Sequence, residues 1–430
     1  MDSYRKRPRI FYGWYIVGAA VVIVLYTGGV VHFGFTAFFK SIADEFGWSY
    51  AQVSLAFSLR GFEMGLLAPF VGFFVDRWGP RRMIFVGSLL ICAGFLLLSR
   101  ISSLAGFYSA FILIAIGMST CAGTVLLTAV TNWFRRRAGI ATGIVTSGFG
   151  LGGLVVPVIT WLIDTIEWRQ AMIAVGLGML LFVLPLSFVV RHKPEQYGYL
   201  PDGDIDGTEE DGETRTELIG PEVNVSAKQA LKGRVFWQIA ISSACHSFVI
   251  GAIVTHIMPY LSSVNIARSL SSIIASMLPV ASILGRLGSS WLIDRIGSRL
   301  VFSSSFALIT AGSFIFAFVN EDIKWLLVPF VITLSLGWGL SVTTRITLLR
   351  DHYGRASFGT ILGSTSGIMM LGNMAGAPLA GWVYDTWGSY QGAWLSYAAI
   401  TLVGLVLVFT IPAVKSGIGQ EGVVEIHQAS

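Results

Sequence analysis

The chain has 430 residues, of which 54% are hydrophobic, 13% aromatic and only 12% charged, and its mean hydropathy is +0.71. Soluble domains carry about 25% charged residues, so a water-covered surface of this size is excluded and with it the usual soluble enzyme or regulatory domain. The 29 Lys and Arg against 24 Asp and Glu give a net charge of +5, which in so apolar a chain indicates basic loops beside a membrane rather than nucleic-acid binding.

A helix crosses a bilayer with about 20 mainly apolar residues. In chain order the sequence predicts such helices at 12–37, 50–75, 83–99, 104–130, 139–163 and 170–190, then at 235–261, 271–293, 300–319, 325–347, 359–384 and 393–412. The runs are continuous rather than alternating, which disfavours a β-barrel. The first run follows Arg5, Lys6, Arg7 and Arg9 as a signal peptide would. Its length, and the spans that follow it, make it a retained helix. Loops after the second, fourth, eighth and tenth spans carry Arg77, Arg81 and Arg82, then Arg135 to Arg137, Arg295 and Arg299, and Arg350 and Arg355. Loops on the opposite side carry about one cation each, Lys40, Arg100, Arg169, Arg268 and Lys324, so the positive-inside rule puts both termini in the cytoplasm. Cys92, Cys121 and Cys245 all lie in apolar runs, without the spacing of a disulfide framework or a metal site.

Residues 191–234 are mostly polar and rich in acids, among them Asp202, Asp204, Asp206 and Glu209. They read as a flexible cytoplasmic linker between an N-terminal six-helix bundle, 1–190, and a C-terminal bundle with a short tail, 235–430. The two halves repeat. Asp76-Arg77-Trp78-Gly79-Pro80-Arg81 returns as Asp294-Arg295-Ile296-Gly297-Ser298-Arg299, 218 residues later. Gly117 returns as Gly337, and Pro157, Trp161 and Asp164 as Pro378, Trp382 and Asp385, at offsets of 220 and 221. The fold predicted is an all-α membrane protein of twelve transmembrane helices. Its two six-helix bundles are related by pseudo-two-fold symmetry, with a site between them near mid-membrane.

These motifs resemble the major facilitator superfamily, whose signature after helix 2 matches Gly72, Asp76, Arg77, Gly79, Arg81 and Arg82. Three further matches resemble its monocarboxylate and oxalate/formate branch. They are Tyr12-Gly13-Trp14-Tyr15, then Trp133-Phe134-Arg135-Arg136-Arg137 with Ala141, Gly143 and Gly148, and Pro194-Glu195 with Gly198 and Pro201-Asp202-Gly203. The resemblance implies a secondary transporter working by alternating access. It also makes the loops with Asp76, Arg77, Gly79 and Arg81, and with Asp294, Arg295, Gly297 and Arg299, a gating latch. Two departures stand out. Phe11 and Tyr12 replace the acidic residue that animal members carry before the helix 1 Gly-Trp, and Ser282 stands where they carry an aspartate used in proton coupling.

A charge at a helix centre costs about 2.5–3.5 kcal/mol on insertion scales and needs a reason. Arg286 lies eight residues before Asp294, with no acid at 279–290, about 12 Å inside its helix end. A guanidinium there matches a carboxylate with its two-pronged fork. In the monocarboxylate branch the helix 8 arginine, which Arg286 matches, binds the substrate carboxylate. Arg60 and Glu63, three residues apart, are either a structural ion pair or a proton carrier beside a second anion ligand. Tyr26, Ser119, Asn373 and His256 are further substrate-site candidates, set against the plainer reading that each bonds a neighbouring helix. His32 and His246 read as core histidines. The glycines of helices 5 and 11 read as packing or hinge residues.

Together these indicate a carrier of small organic anions, mono- or dicarboxylates, by proton symport or anion exchange. The rival readings are an exporter of neutral or cationic solutes, which Arg286 disfavours, and a transporter-like solute sensor. Nucleotide-binding, catalytic and metal motifs are absent, so no cofactor is expected and no enzyme activity. The expected partners are the anion, membrane lipids and protons as a coupling ion, with no nucleic acid. The expected state is a monomer in a bacterial cytoplasmic (inner) membrane.

Overall fold

A computed structural model describes residues 11–59, 67, 71, 74–75, 77–121, 123–134, 137–197, 199, 202, 227–354 and 358–412. In chain order the membrane helices are α1 Tyr12–Phe46, α2 Tyr50–Ser58, α3 Pro80–Leu98, α4 Leu104–Trp133, α5 Ile140–Ile166 and α6 Trp168–Ser187. The second half has α7 Arg234–Ser263, α8 Arg268–Ile296, α9 Ser298–Phe316, α10 Lys324–Tyr353, α11 Phe358–Trp387 and α12 Gln391–Phe409. Most of the rest of the span expected at 50–75 lies outside the described residues. The layout is that of a twelve-helix, two-bundle membrane protein, and no strand occurs among the described residues.

Most helix ends fall within a few residues of those expected, but α1 runs on well past residue 37. It passes through a π-helical stretch at Gly28–Phe33, where Gly34 N–H donates to Gly29 O at 2.7 Å, and continues to Phe46. The charged tip with Lys40, Asp44 and Glu45 hides that last stretch from a search for apolar runs. The start of α2 follows local rules: Ser49 and Gln52 form a reciprocal capping box.

The internal repeat is visible in geometry. Gly79 and Gly297 precede α3 and α9 with φ/ψ of 77°/159° and 82°/152°, a region open essentially to glycine alone. Gly117 on α4 packs onto the backbone of Gly87 and Ile91 of α3. Its counterpart Gly337 on α10 packs onto Ser305 and Ile309 of α9. In both places the absent side chain lets two backbones approach closely.

Both ends of the stretch expected to be a flexible linker are built into the halves. The Arg191 guanidinium lies over the rings of Tyr12 and Tyr197, at 4.0 and 4.2 Å. Asn132 and Trp133 donate to the carbonyls of His192 and Arg191. Tyr199 packs on Phe11, Tyr12 and Trp133. The three sequence motifs at 12–15, 133–137 and 194–203 thus meet in one aromatic cluster at the end of the molecule that carries the arginine-rich loops, the basic end. At the other end of that stretch, Ala227–Lys232 is helical and Ala230 is buried against the second half.

Candidate functional site

The halves meet along a seam, and its two regions differ. At the end opposite the basic loops the seam is held by many polar contacts. The Asp385 carboxylate, at the end of α11, accepts from the backbone N–H groups of Tyr50 and Ala51 at the start of α2, both at 2.9 Å. Its repeat-related partner Asp164, at the end of α5, pairs with Arg268 at the start of α8 at 3.3 Å. Thr36 donates to Thr255 O at 3.0 Å, Lys40 to Ser262 Oγ at 3.0 Å, and Arg268 to Ala37 O at 3.2 Å. Gly381 lets α11 lie directly on the Tyr50 backbone.

Deeper in the seam α8 crosses α5. Gly150 and Gly153 of α5 sit against Pro279 of α8, with Ile283 and the Ser276 carbonyl beside them. Here the Arg286 guanidinium reaches across the halves and donates through Nη1 to Thr146 O at 3.3 Å. That bond is slightly longer than the usual range. Arg286 Nε is buried with no hydrogen-bond partner. Arg286 forms no ion pair with a carboxylate among the described residues. A guanidinium has five N–H donors, so one stretched contact leaves most of its capacity unused at a place where desolvation is costly.

The other expected site residues are distributed differently. His256 belongs to the end of the seam held by polar contacts and is fully buried. Its Nε2 lies 2.9 Å from Ala377 O and 2.8 Å from Ser54 Oγ, while Nδ1 lies 2.9 Å from the Tyr390 hydroxyl. Ser54 gives its own proton to Tyr50 O, so the imidazole donates from Nε2 and accepts at Nδ1 from Tyr390. With its polar atoms engaged by both halves, His256 fastens them and has no free face for a solute. Tyr26 packs within the first half. Its hydroxyl donates to Val175 O on α6 at 2.9 Å and its ring packs on Phe182, which commits it to the interior of the first half. Ser119 donates back to Ile116 O of its own helix. Asn373 lies against Gly251 of α7, between α7 and α11. Arg60, Glu63, Gly72 and Asp76 lie outside the described residues.

One charged residue escaped the sequence reading. Arg345 lies in α10 within the span predicted at 325–347, where its charge alone was the available signal. Its guanidinium meets Met369 Sδ of α11 and lies within electrostatic reach of His246 on α7. His246 is buried, with Nε2 2.8 Å from Ser341 Oγ. Among the described residues no group of three or more His, Cys, Asp or Glu could hold a metal ion.

A family model described as "Major Facilitator Superfamily" matches residues 16–369. The chain belongs to the major facilitator superfamily. It is 26% identical over 416 residues to monocarboxylate transporter 12 of Rattus norvegicus, across 93% of this chain and 84% of that protein. It is 22% identical over 377 residues to the oxalate:formate antiporter of Oxalobacter formigenes, across 86% of each. Among solved structures, a bacterial homolog of the human lysosomal transporter Spinster, in an inward-facing and occupied conformation, superposes with a TM-score of 0.73. That match is 14% identical and covers 93% of this chain and 96% of the other. It shows the shared fold.

In this superfamily member the described parts of the two signature loops serve their own halves. Arg81 stacks on Phe188 at 4.6 Å, and Arg77 is exposed. In the second copy Arg295 stacks on Trp291 at 4.3 Å. Arg299 donates to Ile411 O at 2.9 Å, satisfying a carbonyl just past the end of α12, and Asp294 is exposed. The chain is thus a multi-pass integral membrane transporter of this superfamily, related to monocarboxylate transporters and to the oxalate:formate antiporter.

Proposed function

We propose that this protein is a secondary active transporter of small organic anions, mono- or dicarboxylates, and that Arg286 anchors the substrate carboxylate. The observation that carries the reading is the state of that guanidinium. It projects across the seam between halves, holds one long bond to Thr146 O and has a buried, unpartnered Nε. A carboxylate supplies two oxygens in the geometry the fork needs and neutralises the charge at the same time. The names of the relatives point to the same class of solute. A cationic solute would be repelled by the same fixed charge.

Alternating access follows from the architecture: two halves joined by a linker, fastened to each other at one end. Because Arg286 touches both halves, a bound anion is positioned to couple their movement. Proton symport and anion exchange are the two modes such a carrier uses, with Arg60 and Glu63 as the coupling candidates. The excess of arginine in one set of loops supports a cytoplasmic basic end and cytoplasmic termini, and we place the protein in a bacterial cytoplasmic membrane as a monomer.

The test is uptake of labelled lactate, pyruvate, oxalate and formate into proteoliposomes, with and without a proton gradient and with and without internal anion. Transport of at least one carboxylate, lost in Arg286→Ala, is expected. Stimulation by an inward proton gradient identifies symport, and dependence on internal anion identifies exchange. Failure to move any carboxylate, with efflux of a lipophilic cation instead, refutes the reading.

A further inference from the structure

Arg345 lies within the second half, and the described residues around it do not explain it as a structural residue. It lies eight residues before Tyr353, the last residue of α10, so it sits about 12 Å inside the helix. A structural arginine at that depth needs a carboxylate or several carbonyls to offset its desolvation. It has neither. Its contact is the Met369 thioether, a weak acceptor that carries no charge. No ion pair joins it to a carboxylate among the described residues.

Two further polar groups face the same place. Ser341 is one turn earlier on the Arg345 face of α10. It gives its proton to Trp338 O at 2.7 Å. His246 Nε2 therefore donates to Ser341 Oγ at 2.8 Å, which leaves Nδ1 as the ring's open position. Arg345 and Ser341 thus share a face of α10, with His246 of α7 bonded to Ser341 and Met369 of α11 against Arg345. Methionine is unbranched and flexible, so its side chain can swing away and expose the cluster.

The cluster lies close to Arg286 but nearer the basic end. Gly285 of α8 packs on Gly339 and Leu340 of α10, which fixes the relative level of two helices running the same way. Arg286 is one residue past that contact and Arg345 five past it, a difference of four residues or about 6 Å along the axis.

We propose that Arg345, with Ser341 and His246, forms a second carboxylate subsite within the C-terminal half, on the basic-end side of Arg286. The inference rests on the carboxylate transport argued above and extends it. A carboxylate there displaces the Met369 sulfur and accepts two N–H groups of the guanidinium. It comes from one of two sources: the far end of a dicarboxylate whose near end is held by Arg286, or a monoanion moving between Arg286 and the basic end.

The test is thermal-shift titration of the purified full-length protein with acetate, lactate, oxalate, malonate and succinate, comparing parent, Arg345→Gln and Arg345→Lys. Arg345→Gln is expected to weaken apparent affinity about tenfold, the loss of a charge-assisted fork, while the ligand-free melting temperature holds. Loss confined to the dicarboxylates identifies the far-carboxylate source, and loss shared by monocarboxylates identifies the moving anion. Parental affinity of Arg345→Gln for all five acids overturns the subsite and leaves the transport reading standing. Should Arg345→Gln fail to fold, Arg345→Lys decides. It keeps the charge without the fork, so a several-fold weakening supports the subsite and parental affinity overturns it. A parent protein stabilised by none of the acids overturns the carboxylate reading itself, and this inference with it.

Discussion

The two regions of the seam use polar groups in opposite ways. At the sealed end the groups that cross between halves are matched: Asp385 with two backbone N–H groups, His256 with Ser54, Tyr390 and Ala377, Thr36 with Thr255. Around Arg286, among the described residues, the donors outnumber the acceptors, with one long bond to Thr146 O and a buried Nε without a partner. Satisfied groups hold a conformation, whereas surplus buried donors have a reason to exist only if something else supplies the acceptor. That contrast is what the proposed assignment of Arg286 rests on, more than residue type, since both regions contain arginines, histidines and serines.

The comparison can be broken in a graded series. The largest effect is expected from Arg286→Ala. Truncating one side of a buried charge pair typically costs 2–5 kcal/mol, so proteoliposome uptake should fall by at least about thirtyfold while the seal is kept. Next comes Gly381→Val, which puts a branched side chain onto the Tyr50 backbone. Spin labels at Lys40 and Ser262 should then report a longer and broader distance, with transport slowed rather than affinity lost. His256→Phe should follow, because it strands the Tyr390 hydroxyl. A stability loss of about 1–3 kcal/mol is expected, read as a lower melting temperature, with carboxylate affinity unchanged. An affinity loss there would return His256 to the substrate site.

The two repeat-related aspartates sharpen the same point. Asp385→Ala removes an acceptor from two N–H groups at a helix start and should lower the melting temperature clearly. Asp164→Ala removes a half-exposed ion pair, and such pairs contribute about 0–1 kcal/mol. The smallest effect belongs to Tyr26→Phe. It removes one hydroxyl bond within the first half, about 1 kcal/mol, and should leave uptake unaltered.

Much of the architecture was legible because insertion into a bilayer depends on local composition. Apolar runs located the helices. The repeat of Asp76-Arg77-Trp78-Gly79 with Asp294-Arg295-Ile296-Gly297 foresaw two glycine turns of nearly the same φ and ψ. The extension of α1 past residue 37 was hidden by its charged tip. The candidate site was legible only in part. Arg286 stood out because a charge far inside an apolar run is rare. Arg345 carried the same signal and was overlooked near the polar end of its span. For Tyr26 and His256 the residue type was correct for a binding role, but nothing in a linear run states which neighbouring helix a side chain meets.

The amino-acid order by itself determined the number of spans, their likeness between halves, the loop charge and the presence of a guanidinium deep in α8. These follow from hydropathy and spacing, which act on each helix separately. The tertiary structure decided which polar groups were consumed and which were left over. Its helix rotations set His256 against Ser54 and Tyr390 and turned Tyr26 to Val175. Those rotations arise from packing between helices far apart in the chain. Whether a buried donor finds its acceptor is therefore a property of the assembled halves.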